Sequence, residues 1–364
     1  MVELNQRTLR DVDWLLVLAP VALTIFGCLG IFSTAPAPTD FIKKQITSLC
    51  IGLVLASVIM LTDYHKIIMT ISPFFYAAVI LLLIMVLFFG IEINGNKAWL
   101  HVGGFSFQPS EFAKVATILM LARFMAHPRR GALSLKDMAI MFGITLPPVL
   151  LIAAQHDTGT MLTFGAILGA FYFLGGIRKV LLIVGLVAVV GGVVAVYPHL
   201  KGYQQERIKA VLNPEEADPR GYGYQTIQSM IAVGSGGVVG KGIGGGTQGK
   251  LGFLPYAYSD FIGAVVGEET GLVGVLLMLA LYLLLIWRMA SIARGSRDRP
   301  GALMIMAFVD LILFHIVCNL GMVIGLMPVM GIPLPLMSYG GTAVMSVFMG
   351  VGLALSVRMR RFVN

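Results

Sequence analysis

The stretch DWLLVLAPVALTIFGCLGIFS, residues 13–33, decides the fold class: after Asp13 it runs 20 residues without a charge. A helix of that length crosses the roughly 30 Å hydrocarbon core of a bilayer. It carries no small-residue cleavage site, so it reads as an uncleaved first helix rather than a signal peptide. Comparable apolar stretches recur at 42–62, 68–90, 109–126, 137–154, 158–175, 178–197, 269–288, 302–326 and 337–357, the fourth and fifth of the ten being short or polar at their ends. The chain of 364 residues is 57% hydrophobic and 12% charged. A soluble domain carries about 25% charge, so lipid must cover this surface. The expectation is an all-α polytopic membrane protein of about ten transmembrane helices, one domain over residues 1–364.

Lys and Arg set the orientation. With the N-terminus inside, one side collects Arg7, Arg10, Arg123, Arg129, Arg130, Arg178, Lys179, Arg288, Arg294, Arg358 and Arg360, among others. The opposite short connections hold Lys43, Lys44 and Lys97. An even number of spans puts both termini in the cytoplasm. The net charge of +8 is mostly this bias and gathers on no soluble surface, so nucleic acid is not an expected partner. Cys28, Cys50 and Cys318 fall inside predicted helices without metal-ligand spacing and read as small apolar residues.

Three segments on the outer side are richer: 92–111, a large loop of about 198–268 between the seventh and eighth helices, and MPVMGIPLPLMSYGG (327–341). The last is too full of Pro and Gly for a regular spanning helix. Broken backbone at membrane depth persists only where protein buries it or it lines a cavity. The pattern predicts an outward-facing cavity lined by all three segments.

Acidic residues inside a membrane are expensive and usually functional. Glu111 and Lys114, three apart, share a helix face and form either a self-satisfied ion pair or a charged cavity wall. Asp157, in QHDTGT (155–160), opens the sixth helix and is an N-cap or a site residue. Asp310, His315 and Asn319 suit interhelical hydrogen bonding better than a metal site. Asp260, in FLPYAYSDFIGAVVGEE (253–269), sits where loop backbone re-enters the interface. Partial desolvation there makes a carboxylate a better base, with a helix N-cap as the alternative. Glu268 and Glu269 read as the start of the eighth helix, placed to suit its dipole. The run GSGGVVGKGIGGGTQGK (234–250) fails the phosphate-loop pattern, because Ser235 and Gly242 stand where Gly and Ser or Thr are required. What remains is a general capacity of glycine amides, Lys241 and Lys250 to hold an anion such as a lipid pyrophosphate.

These motifs resemble the SEDS family, the shape, elongation, division and sporulation group, and most its elongation (RodA) branch. The resemblance covers nearly the whole chain and is densest in QPSEFAK (108–114), QHDTGT (155–160), NPEEADPRGYGYQTIQSMIAVGSGG (213–237), GKGIGGGTQGKLGFLP (240–255), DFIGAVVGEE (260–269) and NLGMVIGLMPVMGIPLPLMSYGG (319–341). It implies a peptidoglycan glycosyltransferase in the bacterial cytoplasmic membrane. Such an enzyme polymerises lipid II on the outer face during cell elongation, beside a class B penicillin-binding protein and other elongation-complex membrane proteins. The family's loop aspartate falls on Asp260, its membrane Glu and Lys on Glu111 and Lys114, and its sixth-helix Asp on Asp157. Asp260 is then the base for the acceptor 4-hydroxyl. Lys114, with Arg207 or Lys241, stabilises the departing pyrophosphate; the resemblance leaves room for a divalent cation, Mg or Mn, and requires no other cofactor. The family's β-linked product implies inversion at the anomeric carbon. Two departures stand out. Tyr256, Ala257, Tyr258 and Ser259 occupy places where the family usually has a Glu and a His-Thr pair, and Gly263 replaces a common Phe. The rival readings are a lipid II flippase and a non-enzymatic scaffold that activates a penicillin-binding protein.

Overall fold

The computed structural model describes residues 12–360 apart from 94–95, 103–104, 128–130, 179, 186, 188–190, 192–196, 200–201, 203–204, 207–208, 210 and 212–221. Its helices are α1 (Trp14–Thr34), α2 (Pro38–Leu61), α3 (Tyr64–Phe89, with a π-turn at Ile67–Ile71), α4 (Pro109–Met125), α5 (Leu135–Ala154), α6 (Thr158–Gly175), α7 (Tyr222–Gly236), α8 (Ile262–Arg294), α9 (Arg299–Val323) and α10 (Gly341–Met359). Among the described residues eight helices are long and apolar enough to cross a membrane, all but α4 and α7. At 17 residues α4 is buried along most of its length, so protein rather than lipid surrounds it. Half of the expected span at 178–197 lies outside the described residues.

Local sequence accounts for the ends of these helices. Asp13 caps α1 by accepting from the Leu16 N–H. Ser134 and Asp137 form a reciprocal capping box at α5. Proline stands in the first turn of α2, α4 and α9, where a missing N–H costs nothing. Among the described residues the one departure from an all-helical chain is a small antiparallel sheet at residues 91–107, β1 (Ile91–Ile93), β2 (Asn96–Val102) and β3 (Phe105–Phe107) in that order.

The centre is α9 and α10, whose spanning windows are 67% and 72% buried inside the protein against at most 44% for the others. Helix α10 lies along α2, and a Cβ on Gly352 would meet the Ala56 carbonyl oxygen at 2.7 Å. Small residues of this kind let helix backbones approach in lipid, where burial of apolar surface supplies no drive. Outward faces carry Trp14, Phe74, Leu81, Phe88 and Phe89, all exposed, as lipid contact requires.

Helix α8 starts earlier than the sequence suggests. It begins at Ile262, not near Glu268, and breaks at Gly271, whose φ is +63°. Both acids therefore lie in a short buried first segment rather than at a helix start. The glycine-rich run closes on this break: Lys241 N donates to Glu268 O (3.0 Å), Gly242 N to Glu269 O (2.9 Å), and Leu272 N to Gly237 O (3.0 Å). A side chain at Gly271 would strike Gly240 N at 2.4 Å, and one at Gly240 would strike Glu269 O at 2.2 Å. Glycine is required there because two backbones touch. The Glu268 carboxylate also accepts from Lys241 Nζ (2.7 Å), Thr247 N (2.7 Å) and Gln248 N (3.2 Å). The anion that this glycine loop holds is the protein's own Glu268.

Candidate active site

A cavity of about 1160 Å³, mouth included, opens between the three segments that the sequence singled out. The 92–111 segment supplies Asn96, Trp99 and Gln108, the end of the long loop supplies Tyr258, Ser259 and Asp260, and the Pro/Gly segment supplies Gly331, Pro333, Tyr339 and Gly340. Glu111, Asp157, Lys44 and the first residues of α10 complete its wall.

Asp260 is half-buried and stands just before α8. Phe261 occupies the N-cap position, and no side chain caps the helix, so Asp260 is not held there as a cap. Its backbone is pinned instead. Asp260 N donates to Tyr256 O (3.0 Å), and Asn319 Nδ2 donates to both Asp260 O (2.8 Å) and Ile332 O (2.9 Å). One residue earlier, Ser338 Oγ donates to Ser259 O (2.5 Å) and accepts from Leu334 N (2.8 Å). Tyr339 N donates to Tyr258 O (3.0 Å). The aspartate loop and the Pro/Gly segment are thus one hydrogen-bonded unit. Gln45 on α2 backs that unit, donating to Ser338 O (3.1 Å) and accepting from Gly340 N (3.3 Å), and the Tyr282 hydroxyl donates to Pro335 O.

Non-glycine residues at positive φ occur at His156, Tyr256 and Leu336 among the described residues, each within four residues of a cavity-lining position. The left-handed conformation costs such residues about 1–2 kcal/mol, and strain of this kind gathers at functional sites. Around Tyr258 this chain builds an aromatic rim: Phe41 packs on Tyr258 (5.1 Å between ring centroids) and on Tyr339 (4.5 Å). Burial, and then the charges of Tyr256 and Asp260, lift the Tyr258 phenol above its ordinary range, so it remains a hydrogen-bond donor.

Glu111 and Lys114 are paired at 2.8 Å and nearly sealed from solvent at 3% and 2% exposure. The pair is larger than its sequence spacing suggests. Ser346 Oγ donates to Glu111 Oε2 (2.9 Å), and His315 Nε2 lies 3.4 Å from Lys114 Nζ. His315 Nδ1 is 3.1 Å from Pro333 O. A carbonyl can only accept, so Nδ1 carries the proton and Nε2 turns its lone pair to the ammonium. Asp157 caps α6 through Thr160 N (3.1 Å), and its second oxygen accepts from Gln108 Nε2 (3.1 Å). The N-cap reading is seen directly, and the same side chain also lines the cavity.

Of the two cations assigned with Lys114, Arg207 lies outside the described residues. Lys241 is paired with Glu268 and is not among the cavity-lining residues. Sequence reasoning passed over Trp99, Gln108, Thr342 and Lys44. The excess of cations on the other side of the membrane obscured Lys44, and nothing local marks the other three. Interhelical bonding was expected for Asp310, His315 and Asn319, but Asn319 and His315 Nδ1 bond carbonyls of the Pro/Gly segment instead. His315 Nε2 alone faces another helix, at Lys114, and Asp310 has no hydrogen-bond partner among the described residues. No three His, Cys, Asp or Glu side chains among the described residues converge to hold a metal ion. Mg or Mn would have to be bound by one or two carboxylates together with substrate phosphates.

The FtsW/RodA/SpoVE family model, described as cell cycle proteins, matches residues 14–362, and the chain belongs to this family of polytopic membrane proteins. It is 39% identical to the peptidoglycan glycosyltransferase MrdB of Escherichia coli K12, over 98% of this chain and 97% of that protein. Among solved structures it is similar to a chain of a peptidoglycan synthase complex described as coordinating polymerisation and crosslinking (36% identity, TM-score 0.83, 97% of this chain and 99% of that one). It is also similar to the rod-shape-determining protein RodA of Thermus thermophilus (30% identity, TM-score 0.71, 97% and 98%).

Proposed function

We propose that this protein is a peptidoglycan glycosyltransferase that polymerises lipid II during cell elongation, with Asp260 as its general base. The carrying observation is the cavity itself, in which the backbone bearing one half-buried carboxylate, Asp260, is pinned by Asn319, Ser338 and Tyr339 to the adjoining Pro/Gly segment. Asp260 takes the proton of the acceptor 4-hydroxyl as that oxygen attacks the anomeric carbon of the donor. The new O–C bond forms as the bond from the anomeric carbon to pyrophosphate breaks, and undecaprenyl pyrophosphate leaves with the electron pair. Asp157 and Gln108 form a polar wall for the sugars, and Glu111, backed by Lys114 and His315, forms the floor. The cavity faces outward, both termini lie in the cytoplasm, and a class B penicillin-binding protein crosslinks the product.

A flippase needs a polar path through both leaflets. Among the described residues, the space beside Glu111, Lys114, His315 and Ser346 is otherwise lined by apolar side chains such as Val115, Phe308, Leu311, Ile312 and Val347, which favours a site with a closed polar end. The test uses the chain purified with its penicillin-binding partner, the transpeptidase blocked, and labelled lipid II. Wild type yields glycan strands and Asp260→Asn none. Strands from the Asn variant at wild-type rate would remove Asp260 from the chemistry, and none from either would return the flippase and scaffold readings.

A further inference from the structure

The departing pyrophosphate needs positive charge or free donors, and the site as described offers little. Lys114 is committed to Glu111 and Lys241 to Glu268, while three carboxylates line the cavity at Glu111, Asp157 and Asp260. Such a wall repels a phosphate unless some part of it is built for one.

That part is the N-terminus of α10. Gly340, Gly341, Thr342 and Ala343 all line the cavity. The helix runs 19 residues, and no side chain caps it. Its first backbone bond back into the helix is Val344 N to Gly340 O (3.1 Å), which leaves the N–H groups of Gly341, Thr342 and Ala343 without an intrahelical acceptor. Thr342 adds an independent sign. It is 0% exposed, and its hydroxyl is buried with no partner among the described residues. Orphaned buried hydroxyls are costly and rare, so one on a cavity wall is waiting for a ligand.

Lys44 stands beside this helix end. It is the one basic side chain among the described lining residues, exposed and without an acidic partner among them. Its neighbour Gln45 accepts from Gly340 N (3.3 Å), which ties this turn of α2 to the start of α10. Ser48, one turn on, lines the same wall.

We infer that the N-terminus of α10, the Thr342 hydroxyl and the Lys44 ammonium together bind a lipid-linked pyrophosphate. Free N–H groups and the positive end of a helix dipole form a ready anion site. Here they meet charge that grows as the anomeric bond breaks, the arrangement that lowers a barrier most. The inference rests on the glycosyltransferase reading for its ligand but not for its geometry.

The test is binding, which separates it from catalysis. Full-length protein in detergent micelles is titrated calorimetrically with farnesyl pyrophosphate, with farnesol as the tail-only control. Wild type binds the pyrophosphate, and Asp260→Asn binds it at least as tightly because one repelling carboxylate is gone. Lys44→Gln and Thr342→Val each weaken it at least tenfold without changing farnesol binding or the melting temperature, and Thr342→Ser restores it. Unchanged pyrophosphate affinity in both weakened variants, equal loss for farnesol, or no pyrophosphate binding by wild type would each overturn the site. Failure of Asp260→Asn to stop polymerisation would overturn the base instead and leave this site standing.

Discussion

Asp260 and the Glu111–Lys114 pair make opposite demands on their surroundings. A general base contributes on the order of 10²–10⁴ in rate, so Asp260→Asn should lose at least about a hundredfold in strand formation while keeping the wild-type melting temperature. The buried pair behaves otherwise. Removing one member strands the other charge, at a cost of about 3–5 kcal/mol, whereas replacing both with uncharged residues is often neutral. Glu111→Gln should therefore lower thermal stability in micelles sharply, and Glu111→Gln with Lys114→Met should recover most of it. A double variant that is stable but inactive would make the pair functional; one that keeps activity would leave it as scaffold. From sequence, spacing alone left the two readings of this pair open. The structure adds His315, 201 residues away, and Ser346, 235 residues from Glu111, and no local pattern could have supplied either.

At the scale of the element, the Pro/Gly segment 327–341 is held by its neighbours rather than by its own propensity. A Cβ on Gly27 in α1 would reach Met337 O at 2.3 Å, and one on Gly159 in α6 would reach Met330 O at 2.3 Å. Overpacking typically costs about 1–3 kcal/mol, and here the obstacle is backbone. Gly27→Ala and Gly159→Ala should each lower the melting temperature and reduce polymerisation, because the displaced segment is hydrogen-bonded to the loop that carries Asp260. Gly165→Ala, with nothing within 4 Å of the added methyl, should change neither and serves as the control. The composition of 327–341 announced a broken helix lining a cavity, but its contacts with α1, α2 and α6 come from parts of the chain remote in sequence.

Across the whole molecule, one buried acid ties together helices from both ends of the chain. Asp13, 3% exposed, is hydrogen-bonded to Arg288 at the end of α8 and to Arg358 at the end of α10. Hydrogen bonds to charged groups contribute about 1.5–3 kcal/mol each. Asp13→Asn should therefore destabilise the bundle by at least about 2 kcal/mol, measured as a fall in the melting midpoint, and should leave the affinity for farnesyl pyrophosphate unchanged because the site lies elsewhere. An unaltered midpoint would show that the helices are held by packing alone.

What the sequence by itself determined was the solvent. Twenty uncharged residues after Asp13, repeated along the chain, leave a helix across lipid as the way to satisfy the backbone. The long motifs around Glu111, Asp157 and Asp260 pointed to the chemistry. Tertiary structure alone decided which charges face one another. The glycine loop turned out to enclose Glu268 because its amides lie where the break at Gly271 frees carbonyls. Lys44, not Lys241, reached the cavity because α2 packs beside the start of α10. Helical period and motif spacing act over a few residues, while electrostatics and hydrogen bonding act through space, between segments whose distance along the chain says nothing of their separation.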